Sequence, residues 1–195
     1  MDKQTTGTRE RIVAIADRLF YERGYGHTSF ADIAAEAGLS RGNFYYHFKS
    51  KDEILAAVIE LRKEKTLAML DGWSAEGGSP AKRIGRFIDM MAMNAPAIRR
   101  NGCPVGTLCS ELAKLEHPAL PQANTLFVLF RDWLREQFAQ LDGRASAEAE
   151  LLAMHLLARS QGIATLANAF DDGSFIEQEV SQLHTWLKAI HTKEE

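Results

Sequence analysis

Apolar residues recur three and four positions apart along almost the whole chain and nowhere settle into alternation. That period belongs to helices, in which one face returns about every 3.6 residues. Residues 8–23 show it in Ile12, Ile15, Ala16, Leu19 and Phe20, with Thr8 as the expected N-cap and Gly24 as the residue that ends the helix. A short second helix is expected over 29–37, opened by Thr28 and Ser29, with Asp32 in its first turn and Gly38 at its end. Ser40 opens a third over 41–48. Ser50 with Glu53 matches a reciprocal capping box for a fourth, whose apolar face is Ile54, Leu55, Val58 and Ile59.

The stretch 72–80 holds three glycines, two serines and a proline, and is the most loop-like part of the chain. Beyond it the spacing predicts helices from residue 81 to about 94, then a break near Pro96, then helices over 104–115, 120–141, 147–170 and 175–191. The expected fold is all-α: a small N-terminal unit of three helices and a larger helical body. In segments, that is 1–50, a connecting helix over 51–71, and 72–195.

Composition narrows the function classes. The longest unbroken apolar run, residues 54–59, is far short of the roughly 18–20 residues that span a bilayer. The first residues are polar, without the apolar stretch of a secretion signal. Two cysteines six positions apart make neither a disulfide framework nor a four-ligand zinc site. A cytoplasmic protein is expected. The net charge is only −3, yet residues 38–51 carry Arg41, Lys49, Lys51 and His47 with no acid, which suits one small polyanion-binding face.

An enzyme is not expected. The chain has no phosphate-binding glycine loop, no Gly-x-Ser-x-Gly elbow and no His-Glu-x-x-His pair. Its six histidines show no metal-ligand spacing beyond a loose His184/His191 pair, so no metal or cofactor is expected.

Two short helices joined by a turn at Gly38, after a longer helix, form a helix-turn-helix. Such a unit lays its second helix in the major groove, N-terminal residues toward the base edges. Leu39 plugs the turn, and Ser40, Arg41, Gly42 and Asn43 leave the helix start small, polar and uncrowded. Phe44 and Phe48, four apart, fall on the inner side with Phe20 and Ile33. Tyr45, Tyr46, His47, Lys49 and Lys51 supply hydroxyl, imidazole and ammonium donors within seven residues.

The run Ser40-Arg41-Gly42-Asn43-Phe44-Tyr45-Tyr46-His47-Phe48-Lys49-Ser50-Lys51, within residues 28–55, resembles the DNA-binding domain of the tetracycline-repressor (TetR) family of transcriptional regulators. The likeness covers about residues 8–60 and weakens afterwards. It implies that Arg41 and Asn43 read base edges, guanine suiting the first and adenine the second, with Gly42 as a close-approach residue. It implies phosphate contacts from Thr28, Ser29, Ser40, Tyr45, Tyr46, His47 and Lys51. Taken alone, Tyr45 also fits a half-buried structural aromatic, His47 a surface histidine, and Thr28 or Ser29 a simple cap.

The resemblance further implies a homodimer formed through helices 147–170 and 175–191, a palindromic double-stranded DNA operator, and release by a small-molecule effector. The apolar residues of 147–170 cover more than one side, which asks for two partners. An effector pocket is expected among Phe87, Met90, Met91, Asn94, Cys103, Thr107, Phe127, Phe130, Trp133 and His155, with Gln161 as a further polar member; the competing reading of each is core packing. Pro104 at a helix start puts Cys103 at the N-cap, where a helix dipole favours a thiolate, and a Gly-Cys pair here resembles family members that respond to electrophiles. Cys103 is thus also a candidate thiol sensor or a plain cap. The alternative function, a helical small-molecule-binding or scaffold protein without DNA contact, leaves residues 40–51 unmotivated.

Overall fold

The computed structural model describes residues 3–141, 143 and 145–191, with side chains described from Gly7 onward. Residues 1, 2, 142, 144 and 192–195 lie outside the described residues, and so do the outer limits of segments 1–50 and 72–195. The described residues are all-α, without strand: α1 (Lys3–Arg23), α2 (Phe30–Glu36), α3 (Arg41–His47), α4 (Lys51–Ala75), α5 (Pro80–Met93), α6 (Ala95–Asn101), α7 (Pro104–Lys114), α8 (Leu120–Gln140), α9 (Ser146–Ala169) and α10 (Gly173–His191). They divide into two compact units. One holds the residues up to Lys65 with Thr107–Leu126; the other holds Thr66–Gly106 with the residues from Phe127 onward.

In the first unit Ile12, Ala16 and Leu19 of α1, Ile33 of α2, Phe44 of α3, and Ile54, Leu55, Val58 and Ile59 of α4 are wholly buried. Each is an apolar position that the helical spacing assigns to the inner side. Removing a ring such as Phe44 by substitution to alanine costs about 3–5 kcal/mol through lost burial and the cavity left behind. Polar ties fix how α1, α2 and α4 cross. Arg62 donates through Nε to Asp17 Oδ1 at 2.6 Å, and Arg18 pairs with Glu36 at 2.6 Å. Arg11 donates through Nη2 to the Ala37 carbonyl at 2.9 Å, satisfying an acceptor left over at the end of α2. Gly24 and Gly38, at φ +88° and +62°, make the turns on either side of α2 in a conformation that L side chains rarely adopt.

The second unit packs α10 against α5 and α9, and α6 against α9. Ile84, Phe87 and Ile88 of α5, Leu134 and Phe138 of α8, Leu156 of α9, and Ile176 and Leu183 of α10 form its core. Arg83 on α5 donates to Gln137 at 2.5 Å and Gln140 at 2.7 Å on α8.

Several boundaries differ from the sequence expectation, each for a physical reason. Helix α1 begins at Lys3, so Thr8 lies inside it rather than capping it. Helix α4 runs through Gly72 to Ala75, where a loop was expected. Glycine in a helix costs about 1 kcal/mol relative to alanine. Tertiary contacts offset that: the Trp73 ring lies 5.5 Å from that of Trp133, whose Nε1–H donates to Ser74 Oγ at 3.1 Å. The break expected near Pro96 falls at Asn94, between α5 and α6, and Pro96 itself lies in the first turn of α6, where the missing proline N–H has no helical acceptor to lose. The Ser50–Glu53 box forms by half. Glu53 N–H donates to Ser50 Oγ at 3.1 Å, but the Glu53 carboxylate accepts from Lys49 N–H at 2.7 Å. A full reciprocal box stands at α2 instead, between Ser29 and Asp32.

Candidate nucleic-acid interface

Helix α3 begins at a serine cap, Ser40 Oγ accepting the Asn43 N–H at 3.4 Å, and ends at Phe48, which turns back into the core. Of its seven residues only Phe44 is buried. Arg41, Gly42, Asn43, Tyr45 and Tyr46 face outward, and His47 is half-buried. Nothing lies within 4 Å of a Cβ placed on Gly42, so the front of α3 presents bare backbone flanked by Arg41 and Asn43.

The aromatic residues support this surface from behind. Phe30, the first residue of α2, meets the Phe44 ring edge-on at 4.7 Å and the Tyr45 ring at 5.1 Å. The Arg41 guanidinium lies 5.9 Å from the Tyr45 ring centre, at the outer limit of a cation–π contact. Tyr45 is 39% exposed, its ring packed against Phe30. Tyr46 is 70% exposed, with its ring 5.3 Å from the His47 imidazole. Lys49 turns its ammonium to the Tyr45 carbonyl at the end of α3.

The remaining expected contacts divide. Ser29 is exposed at the start of α2, its hydroxyl accepting from Asp32 N–H at 3.0 Å and its own N–H donating to the Asp32 carboxylate at 2.8 Å. These hydrogen bonds hold the Asp32 carboxyl below the usual carboxylate range. Thr28 is wholly buried, its hydroxyl donating to the Gly24 carbonyl at 2.8 Å, so that hydrogen is spent inside the fold. Lys51 is half-buried, donating through Nζ to the Tyr25 carbonyl at 2.9 Å. Its ammonium reaches outward less than its place in the sequence suggests.

In the second unit the expected pocket residues are dispersed. Phe87, Met91, Phe130 and Trp133 are buried, and Phe87 meets Phe130 at 5.7 Å. Met90 is half-buried, while Asn94 and His155 are exposed. Asn94 donates back to the Met90 carbonyl, and His155 stacks on Trp186 at 5.1 Å. Thr107, in the first unit, is exposed. An open hollow of about 320 Å³ lies between α8 and α9, lined by Phe127, Val128, Arg131, Met154, Leu157, Ala158 and Gln161. Phe127 and Gln161 were foreseen; the others follow from which sides of α8 and α9 meet. Cys103 does take the N-cap place, its Sγ accepting the Gly106 N–H at 3.4 Å. No group of three His, Cys, Asp or Glu among the described residues is placed to hold a metal.

Residues 12–58 match the family model described as bacterial regulatory proteins, tetR family. Over nearly its whole length the chain is 29% identical to an HTH-type transcriptional regulator in the lacX 3′ region of Lactococcus lactis subsp. lactis, covering 95% of this chain and 96% of that one. A TetR transcriptional regulator of Chloroflexus aurantiacus superposes with a TM-score of 0.83 at 26% identity, over 96% of this chain and 97% of that one. Residues 12–58 are a TetR-family domain, and the chain is a DNA-binding, helix-turn-helix transcriptional regulator.

Among its relatives is the HTH-type transcriptional repressor DhaR of Mycobacterium sp., 26% identical over 80% of each chain. Likeness to the regulator TtgR of Pseudomonas putida is higher, 45%, but confined to 53 residues, or 27% of this chain and 25% of that one. No helix among the described residues is long and apolar enough to cross a membrane. Sequence reasoning missed three residues of the DNA-facing unit, Tyr25, Asp52 and Glu111, which meet at the turn before α2. The one sequence signal was a tyrosine flanked by two glycines, Gly24-Tyr25-Gly26.

Proposed function

We propose that this regulator is a cytoplasmic repressor that binds a palindromic operator as a homodimer and is released by a small molecule. Residues 1–50 bind DNA, 51–71 connect, and 72–195 dimerise and bind the effector. The observation that carries this reading is the make-up of α3: a serine-capped helix that buries one phenylalanine and turns Arg41, Gly42, Asn43, Tyr45 and Tyr46 outward. Arg41 and Asn43 read base edges beside the bare backbone at Gly42. Ser29, Ser40, Tyr45, Tyr46, His47 and Lys51 contact phosphates, with Lys51 acting partly by holding the Tyr25 carbonyl. Thr28 acts by anchoring the turn in front of Ser29.

Dimerisation is supported by α9. It buries Ala149, Ala153, Leu156, Ile163 and Ala167 on one side and still exposes Leu151 and Leu166 on another. The free side of α10, with Gln178, Ser181 and Thr185, is polar and small, which lets a partner's helix come close. The effector site is the hollow between α8 and α9: its size suits a small ligand, and Arg131 and Gln161 are its orienting polar groups. Release by modification of Cys103 is the second route, supported by its half-buried place at the start of α7, where its sulfur accepts a backbone N–H. The role is binding, not catalysis.

A salt-titrated binding assay on duplex DNA from upstream of the chain's own gene tests the reading. Specific binding with affinity falling steeply as salt rises is expected, because each neutralised phosphate releases counterions. Indifference to every duplex at low ionic strength overturns it.

A further inference from the structure

The turn between α1 and α2, Gly24-Tyr25-Gly26, closes its backbone around a carboxylate. Glu111 of α7 accepts the Tyr25 N–H on Oε2 at 2.8 Å and the Gly26 N–H on Oε1 at 2.8 Å. Both oxygens are engaged by separate backbone donors. A Cβ built on Gly24 would lie 3.0 Å from Glu111 Oε1, and one on Gly26 3.1 Å from it, so the glycines are what admit the carboxylate. Successive backbone N–H groups bent in this way form a concave anion site.

The rest of Tyr25 is held as firmly. Its hydroxyl donates to Asp52 Oδ1 at 2.5 Å and lies 3.2 Å from His117 Nε2. The Ala119 N–H donates to His117 Nδ1 at 3.1 Å, which assigns the ring proton to Nε2, facing the tyrosine. The Lys51 ammonium stands 4.0 Å from the centre of the Tyr25 ring. This turn leads directly into α2, whose first residue, Phe30, supports Phe44 and Tyr45 of α3. A shift of the turn is therefore passed to the surface that faces DNA.

We propose that Glu111 is a positioning residue for operator binding, its carboxylate clamping the two turn amides so that α2 and α3 stand in the DNA-reading arrangement. The proposal rests on the DNA-binding reading given above. Glutamine is nearly isosteric but offers one acceptor oxygen and two donor hydrogens, so one backbone N–H would face another donor. Hydrogen bonds to a charged acceptor are the strong ones, and losing the charge here should be felt.

The test uses the full chain with duplex DNA from upstream of its own gene, and compares wild type with Glu111→Gln, Gly26→Ala and the double variant. Dissociation constants, the active fraction by stoichiometric titration, and the Tyr25 and Gly26 amide proton shifts are measured. In Glu111→Gln the two amide resonances move upfield and the dissociation constant rises about tenfold, the loss expected for a hydrogen-bonded charged group, at unchanged active fraction. Gly26→Ala, which crowds the carboxylate without touching it chemically, weakens binding by a smaller factor. The double variant binds no worse than Glu111→Gln, because both changes break one contact. Wild-type affinity in a folded Glu111→Gln protein overturns the proposal, as do losses that multiply in the double variant. A reduced active fraction with an unchanged dissociation constant assigns Glu111 to folding alone and overturns it too. Wild-type protein that ignores duplex DNA refutes the DNA-binding reading and the positioning role with it, while the amide shifts still report whether the clamp exists.

Discussion

Helices α3 and α9 each satisfy their own core and then show solvent something left over, and the leftovers are opposite in chemistry. Helix α3 buries Phe44 and displays a guanidinium, an amide and two phenols. Helix α9 buries eight residues and still displays Leu151, 71% exposed, with Met154 and Leu166. Polar donors on a slim helix suit a groove lined with acceptors. An apolar stripe on a long helix suits another protein surface, since isolated apolar residues on a surface are ordinary but an aligned row is not. Similarity to other proteins follows the same division. Residues 12–58 match the family model, and 53 residues are 45% identical to TtgR, whereas whole-length likeness to the Lactococcus lactis regulator is 29%. Duplex geometry is the same for every such protein; an effector is not.

Breaking the apolar side of this comparison should have the largest effect. Leu151→Glu with Leu166→Glu places charges on the α9 stripe, and sedimentation should then show monomers. Operator affinity should fall about 100-fold or more as the two half-sites lose their linkage. An intact dimer would transfer the interface to another face. Next come the proposed base readers: Arg41→Ala and Asn43→Ala should each cost about 1–3 kcal/mol on the operator and little on random duplex. Equal losses on both DNAs would move these residues among the phosphate contacts.

Tyr46→Phe sharpens the same distinction from the other side. It should weaken binding to all duplexes alike while leaving the salt dependence of log affinity unchanged, because a neutral hydroxyl displaces no counterion. Ser29→Ala removes a cap and should lower thermal stability by about 1 kcal/mol, with a smaller effect on binding.

Alkaline pH probes the buried side of the DNA-facing unit. Burial, and then the Asp52 carboxylate, push the Tyr25 hydroxyl above its ordinary range. Its folded-state pKa is therefore above the unfolded value of about 10, so its contribution to stability is intact below that pH and is lost as pH rises further. Urea titrations of wild type should show that decline, and Tyr25→Phe should remove this part of it. A Tyr25→Phe protein with the wild-type alkaline profile would show that the hydroxyl plays no part.

How much could be read from sequence depended on how local the cause was. The spans of α2 and α3 were readable to within a residue, because Ser29, Ser40 and Gly38 act on their own turns. The outward placement of Arg41, Asn43 and Tyr46 was readable too, since Phe44 and Phe48 fix the inner side of α3 by spacing alone. Thr28 was not: Ser29 and Thr28 look alike as cap residues, and only the packing against α1 turns one hydroxyl inward to Gly24. The continuation of α4 past Gly72 was hidden because a tryptophan pair, not local propensity, sustains it.

By itself the sequence determined an all-α chain whose α3 is polar-fronted, since helix period, caps and turn glycines act over a few residues. Only the tertiary structure decided that Glu111 sits in the cradle of Gly24-Tyr25-Gly26, and that α8 and α9 flank an open hollow while α9 keeps an apolar side exposed. Those features join residues tens of positions apart, and no local pattern encodes which backbone amide a distant carboxylate will meet.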